Sequence, residues 1–204
     1  MSRKLHKFQT VAEYQSLVSD GGDTYGLNEK LCLNYIPSGV TSLVYAFSNW
    51  SSLEEVTCEI PSGVTSLYYT FGGCSSLVTA PEIPSGVTDM NNTFYGCSSL
   101  VTAPKIPSGV TSLNYTFNGC SSLATAPKIP SGVTDMSYTF RYCTSLKEVT
   151  FLPTTPPSYN NALYGCSKLE TIYVPDSAVS AYKTATGWSQ FASNIKPLSE
   201  KPSE

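Results

Sequence analysis

A repeat solenoid, in which one chain winds into stacked coils, is the fold class this sequence predicts, and three observations carry it. The first is a near-identical 23-residue phrase, "IPSGVTSLYYTFGGCSSLVTAPE" at Ile60–Glu82, that returns with Ile83, Ile106 and Ile129 at its head. The second is the apolar rhythm inside each phrase: Ile60, Val64, Leu67, Phe71, Cys74, Leu77 and Ala80. One such coil cannot bury these side chains by itself, whereas stacked coils set like residue over like residue and close a continuous core. The third is that the two ends depart from the phrase, as a stack that needs covered ends requires.

Aligned on Ile-Pro, coils start at Ile36, Ile60, Ile83, Ile106, Ile129 and Leu152. The first is one residue longer than the rest, and in the sixth Pro156 and Tyr159 replace the usual Val and Leu/Met. Val174-Pro175 opens a seventh pass that is expected not to complete. Pro-Ser-Gly is turn chemistry, since proline presets φ and glycine permits positive values. Each coil is expected to give a short parallel strand ending near Ile-Pro and a second extended piece at Val-Thr-x-Leu. Thr-Phe-x-x-Cys reads as one helical or 3₁₀ turn, with Thr70, Thr93, Thr116 and Thr139 as candidate caps.

The ends read as small helical caps. Val11, Tyr14, Leu17 and Val18 share a helical face after Thr10, a candidate N-cap. At the other end Asp176 is placed to cap a helix carrying Val179 and Tyr182, with Trp188 covering the last coil and "SEKPSE" as a mobile tail. The expected division is an N-terminal cap at 1–35, a solenoid of about six coils at 36–173, and a C-terminal cap and tail at 174–204.

Composition removes several functional classes. Of the 204 residues 13% are charged, with a net charge of −3. Arg3, Lys4 and Lys7 form the only basic cluster, too little for a nucleic-acid surface. No apolar run reaches the length of a membrane span, and "MSRKLHKFQTVAEYQ" lacks the apolar core of a signal peptide. Seven cysteines is an odd number, which excludes a complete disulfide framework within one chain.

Thr70-Phe71, Cys74, Leu77, Ile83-Pro84 and Val87-Thr88, repeated in successive coils, resemble the BspA-like leucine-rich-repeat family, and the similarity spans Leu31 to Pro175. "VTDM" at Val87–Met90 and Val133–Met136 resembles a Met-containing subgroup. The ending "IYVPDSAVSAYKTATGWSQFASNIKPLS" is similar to the terminal segment of many such proteins from gut bacteria. The resemblance implies a cell-surface or secreted binding protein of adhesion type and transfers no binding residue, because the family has no shared site motif. From the residues themselves no enzymatic activity and no cofactor are expected, since nothing supplies an activated nucleophile or perturbed acid. With no signal peptide in the sequence, a phage virion or tail component is the alternative origin.

Candidate chemistry is sparse. Cys74, Cys97, Cys120, Cys143 and Cys166 recur once per coil, at a coil spacing of about 4.8 Å, close enough to raise disulfide or metal readings. Their place in the apolar rhythm, taken by Trp50 in the first coil, argues for buried reduced thiols. Cys32 and Cys58 lie outside this ladder. His6 is the single histidine, and no zinc spacing or Ser-His-Asp set forms around it. Asp89 and Asp135, two coils apart, sit roughly 10 Å from one another by strand spacing, near the separation used by inverting glycosidases. The plainer reading is exposed polar positions, because Ser66 and Ser112 hold the same place in other coils.

The letters that change fall after Leu/Met (Val44-Tyr45, Tyr68-Tyr69, Asn91-Asn92, Asn114-Tyr115, Ser137-Tyr138) and after Phe (Ser48-Asn49, Gly72-Gly73, Tyr95-Gly96, Asn118-Gly119, Arg141-Tyr142). Tyr, Asn, Ser, Gly and Arg are the vocabulary of adaptable recognition surfaces. Drift at unconstrained exposed positions explains them equally. The recognition reading takes Tyr45, Tyr68, Tyr69, Tyr95, Tyr115, Tyr138, Arg141 and Tyr142 as ligand-binding candidates for a protein or glycan, with Tyr115, Tyr138 and Arg141 as anchors and Asp135 as a charged neighbour. It has the chain act as a monomer, and the competing reading is a structural spacer.

Overall fold

The computed structural model describes residues 4–7 and 31–203. Regular strands occur only toward the two ends. β1 (Lys4–Lys7), β2 (Leu31–Tyr35) and β3 (Leu53–Val56) form one parallel sheet in that order. β4 (Glu148–Thr150), β5 (Thr171–Val174) and β6 (Ile195–Pro197) form another. Between them each coil touches the next through isolated parallel bridges: Glu55 to Thr79, Thr79 to Thr102, Thr102 to Thr125, and Thr125 to Glu148. Short parallel strands are therefore present, but the central coils are narrower than expected. The reason is Ala-Pro-x-Ile-Pro: Pro81 and Pro84 and their counterparts bring no N–H, so the ladder stops at threonine. Where "LEEV", "KEVT" and "TIYV" omit the first proline, strands form.

The second edge of each coil is a run of tight turns closed by i+3→i bonds of the 3₁₀ kind, rather than one continuous helical turn at Thr-Phe-x-x-Cys. The N–H groups alternate in direction. Those of Thr70, Gly72 and Cys74 close turns onto the carbonyls of Leu67, Tyr69 and Phe71. Those of Leu67, Tyr69, Phe71 and Gly73 donate to Asp89, Asn91, Thr93 and Tyr95 of the next coil. Half the donors thus hold the coil and half hold the stack. The expected capping threonines bond both ways, their N–H groups closing the turn and their hydroxyls reaching the neighbouring coil. Thr70, Thr93 and Thr139 donate from Oγ1 to the carbonyls of Leu43, Leu67 and Leu113 in the preceding coil, at 2.8, 2.9 and 2.8 Å.

The core follows the predicted rhythm. Phe47, Phe71, Phe94, Phe117 and Phe140 stack ring on ring with centroids 5.4–5.6 Å apart. All five are fully buried, as are Val64, Leu67 and Leu77 and their counterparts Val110, Leu113 and Leu123. Burial of each such side chain is worth about 1.5–3 kcal/mol.

The seventh pass does complete, contrary to expectation. Ile172, Tyr173 and Val174 pair with Ile195, Lys196 and Pro197, so the repeat spacing survives through a segment without repeat letters. That segment replaces the turn edge with α1 (Val179–Thr184) flanked by 3₁₀ turns at Asp176–Ala178 and Ser189–Phe191. Asp176 is not its cap; its carboxylate accepts the Ser199 N–H at 3.1 Å, and hydrogen bonding from the Ser199 side chain, then from this N–H, holds its pKa below the ordinary value. Trp188 lies where expected, buried against Phe151 and Tyr159 at 5.0 and 5.4 Å. The tail is anchored: Lys201 ion-pairs with Glu148 at 3.1 Å and donates to Thr150 Oγ1 at 3.0 Å. The expected N-terminal helix after Thr10 lies outside the described residues. No helix among the described residues is long and apolar enough to cross a membrane.

Candidate recognition surface

The varying letters share one property that their chemistry conceals. Tyr45, Tyr69, Asn92, Tyr115, Tyr138 and Asn161, one per coil, all have left-handed backbone, with φ between 52° and 60°. So do Asn49, Gly73, Gly96, Gly119, Tyr142 and Gly165, four residues further on, with φ between 61° and 80°. The turn edge needs two left-handed residues per coil. Glycine and asparagine at these places answer the backbone, so drift and recognition are both incomplete accounts of them. Tyrosine does not answer it. A non-glycine residue held there costs about 1–2 kcal/mol, and the edge carries five such tyrosines.

Their rings form a chain of contacts along the stack. Tyr45 meets Tyr68 edge-on at 5.3 Å and Tyr69 at 5.4 Å. Tyr69 stacks on Tyr95 at 5.8 Å, Tyr95 tilts against Tyr115 at 6.3 Å, and Tyr115 stacks on Tyr138 at 4.5 Å. Tyr95 thereby fills the gap left by Asn92, reaching it from the other turn position. Tyr142 completes the run in a T-shaped pair with Tyr164 at 5.6 Å. The sequence reading had missed Tyr164. It lies one period beyond Arg141, in the coil set aside as degenerate, and the register alone would have found it.

Ring stacking divides the line into two kinds of tyrosine. Tyr68, Tyr69, Tyr115 and Tyr138 are half-buried, and the stacked pair Tyr115–Tyr138 covers one face of each ring with the other. The open ring area lies at Tyr45, Tyr95, Tyr142 and Tyr164, which are 51%, 38%, 44% and 53% exposed. Gly72 gives Tyr69 its place, because a Cβ there would enter the ring. Arg141 sits among the last rings, its guanidinium carbon 4.7 Å from the Tyr142 centroid, 5.5 Å from Tyr164 and 5.6 Å from Tyr138.

The aspartates belong to a separate ladder beside this edge. Ser66 donates to Asp89 at 2.9 Å, while Ser112 and Ser158 donate to Asp135 at 3.3 and 2.8 Å. Ser137 adds its N–H and hydroxyl at 2.9 and 2.6 Å. Burial pushes the Asp135 carboxyl up, but these hydrogen bonds more than offset it and hold the pKa below its ordinary value. A general acid needs the opposite shift, so the expected charged neighbour works as a clamp between coils.

The cysteine ladder is also bonded. Cys74, Cys97, Cys120, Cys143 and Cys166 donate from Sγ to the carbonyls of Phe47, Phe71, Phe94, Phe117 and Phe140, at 3.0–3.2 Å. Cys74, Cys97, Cys120 and Cys143 are buried and Cys166 is half-buried. Burial raises the pKa of Cys97, Cys120 and Cys143 far above the usual thiol range and that of Cys166 to about 12. These are packing groups that each satisfy one carbonyl, not nucleophiles.

The family profile described as BspA type leucine rich repeat region (6 copies) matches residues 28–137 and 114–196. No curated protein matches the chain. Two solved structures are similar. One, a leucine rich cell surface protein from Faecalibacterium prausnitzii A2-165, is 20% identical over 76% of this chain and 63% of that one, with a TM-score of 0.43. The other, a leucine-rich repeat protein from Bacteroides ovatus ATCC 8483, is 22% identical over 82% of this chain and 60% of that one, with a TM-score of 0.36. The chain spans less than two thirds of either neighbour's length. With the Phe and Cys ladders repeating in register and the profile covering most of its residues, the chain belongs to the BspA-type leucine-rich-repeat family.

Proposed function

We propose that this chain is a non-enzymatic recognition module that binds a protein or glycan through its tyrosine-bearing turn edge, displayed at a cell surface. In this reading the solenoid of residues 36–173 carries the edge, and the segment 174–204 covers its C-terminal end. One observation carries the reading: tyrosine occupies left-handed positions where the backbone favours glycine or asparagine. Side chains retained against such a cost are retained for what the side chain does. Tyrosine supplies broad contact area with few rotors and a hydroxyl for hydrogen bonding.

The stacking of Tyr115 on Tyr138 favours a second reading, in which the rings brace the coils and the molecule is a spacer. One experiment separates them. The protein is screened against glycan arrays and purified surface proteins, and its ligand is then titrated with a Tyr95→Ala/Tyr142→Ala/Tyr164→Ala variant. All three rings are exposed and lie outside the buried core, so folding is expected to persist and affinity to fall by about 2 kcal/mol or more. Full affinity in a folded triple variant would remove this edge as the binding site. A wild-type protein that captures nothing in either screen would favour the spacer.

A further inference from the structure

Arg141 is a cation whose surroundings in the fold leave its charge unanswered. It stands in the turn position that carries Ser48, Gly72, Tyr95, Asn118 and Tyr164 in other coils. Its three ring neighbours are close enough for cation–π attraction. Nη2 donates to Tyr142 Oη at 3.2 Å. Nε is buried and has no acceptor, and no carboxylate among the described residues ion-pairs with the group. The guanidinium carries five N–H donors in a fixed fork. Aromatic faces supply no lone pair to a donor fork, and a planar carboxylate meets it with two parallel bonds.

We propose that Arg141, Tyr142 and Tyr164 form a subsite for a carboxylate-bearing sugar, of uronic- or sialic-acid type. This rests on the recognition reading above and names its ligand class. The carboxylate lies against Arg141, and the apolar face of the sugar ring lies on the open ring of Tyr142 or Tyr164, which meet at 77°. The phenol hydroxyls take sugar hydroxyls. A peptide strand is poorly served here because the main chain is already spent. The N–H groups of Arg141, Tyr142, Cys143 and Thr144 all donate within the turn edge, and the Arg141 carbonyl accepts from Gly119. Backbone pairing, the usual grip on an extended peptide, has nothing to hold.

The test is calorimetric titration of the full chain with a glucuronate-containing oligosaccharide, its carboxyl-reduced neutral counterpart, a sulfated analogue, sialyllactose, and acetate. Expected results are binding of a carboxylated sugar that weakens with salt, and a loss of roughly tenfold or more on carboxyl reduction. Arg141→Gln should remove both the affinity and the salt dependence. Arg141→Lys, which keeps the charge without the fork, should lose most of the affinity. Circular dichroism of both variants checks that the fold persists. Equal affinity for the neutral and acidic sugars, preference for the sulfated analogue, a folded Arg141→Gln variant that binds as wild type, or no binding of either carboxylated sugar overturns the subsite. Acetate binding as tightly as the sugars would remove the ring-stacking part. If a screened ligand is lost in the Tyr95/Tyr142/Tyr164 variant but untouched by Arg141→Gln, only this subsite falls. If a ligand is indifferent to both, the edge itself falls as the binding face.

Discussion

Gly119 has φ of 76°, and a Cβ built there would find its nearest atom, Gly96 Cα, 3.6 Å away. Space is available, so conformation decides the cost. Gly119→Ala should destabilise the protein by about 1–2 kcal/mol, and Gly119→Asn by less, because asparagine tolerates the left-handed region. Urea denaturation should order the midpoints wild type, then Asn, then Ala. An alanine variant as stable as wild type would mean that the turn edge does not enforce this backbone. The same demand explains why the position was only half legible in the sequence. Gly73, Gly96, Gly119 and Gly165 spell it plainly, but Asn49 and Tyr142 at the equivalent places blur it into apparent free variation. A φ angle is a property of the chain path, and tyrosine is the residue least able to announce one.

At the scale of the element, a coil is held to its neighbours by side chains that look unremarkable as letters. Thr70 and its counterparts carry the residue type and spacing of a helix cap, yet they donate across the stack. The signal was ambiguous because a cap and an inter-coil donor both need one hydroxyl beside an apolar run. Proline was the more readable letter: the second proline of each phrase limits the strand to a single bridge. The Ser–Asp ladder makes the inter-coil bonds testable. Since the Asp135 carboxyl is held below its ordinary pKa, its ionised form stabilises the fold. That contribution is present above the unfolded-state value of about 3.9 and is lost as pH falls through the lower folded value. Asp135→Asn should therefore melt below wild type near neutral pH, and the two melting temperatures should converge as the solution is acidified. A gap that stays constant down to the lowest pH would show that hydrogen-bonding shape, not charge, is what the ladder uses.

The whole molecule was the most legible level, because a 23-residue period with fixed apolar letters admits few architectures other than a stack. Its C-terminal end was less so, since β6 and α1 keep the period of the stack without any of its letters. Packing there is concentrated in two aromatic residues. Tyr182 and Trp188 are 0% and 1% exposed and both lie against Phe151. Their polar tips are satisfied by the same coil, Tyr182 Oη donating to Pro153 at 3.1 Å and Trp188 Nε1 to Pro157 at 2.8 Å. Ending the chain at Pro175 would remove both rings, uncover Phe151, and leave β5 as a free parallel edge. Such an edge is a template for another chain, so the truncated protein should aggregate, seen by light scattering on a sizing column. Trp188→Ala asks the same question without cutting the backbone. It should cost about 3–5 kcal/mol, while Trp188→Phe should recover much of that loss and forfeit the bond to Pro157. A truncated chain that remains monomeric and melts with the full-length protein would show that the stack closes itself, and that the terminal segment is an addition to the fold rather than its lid.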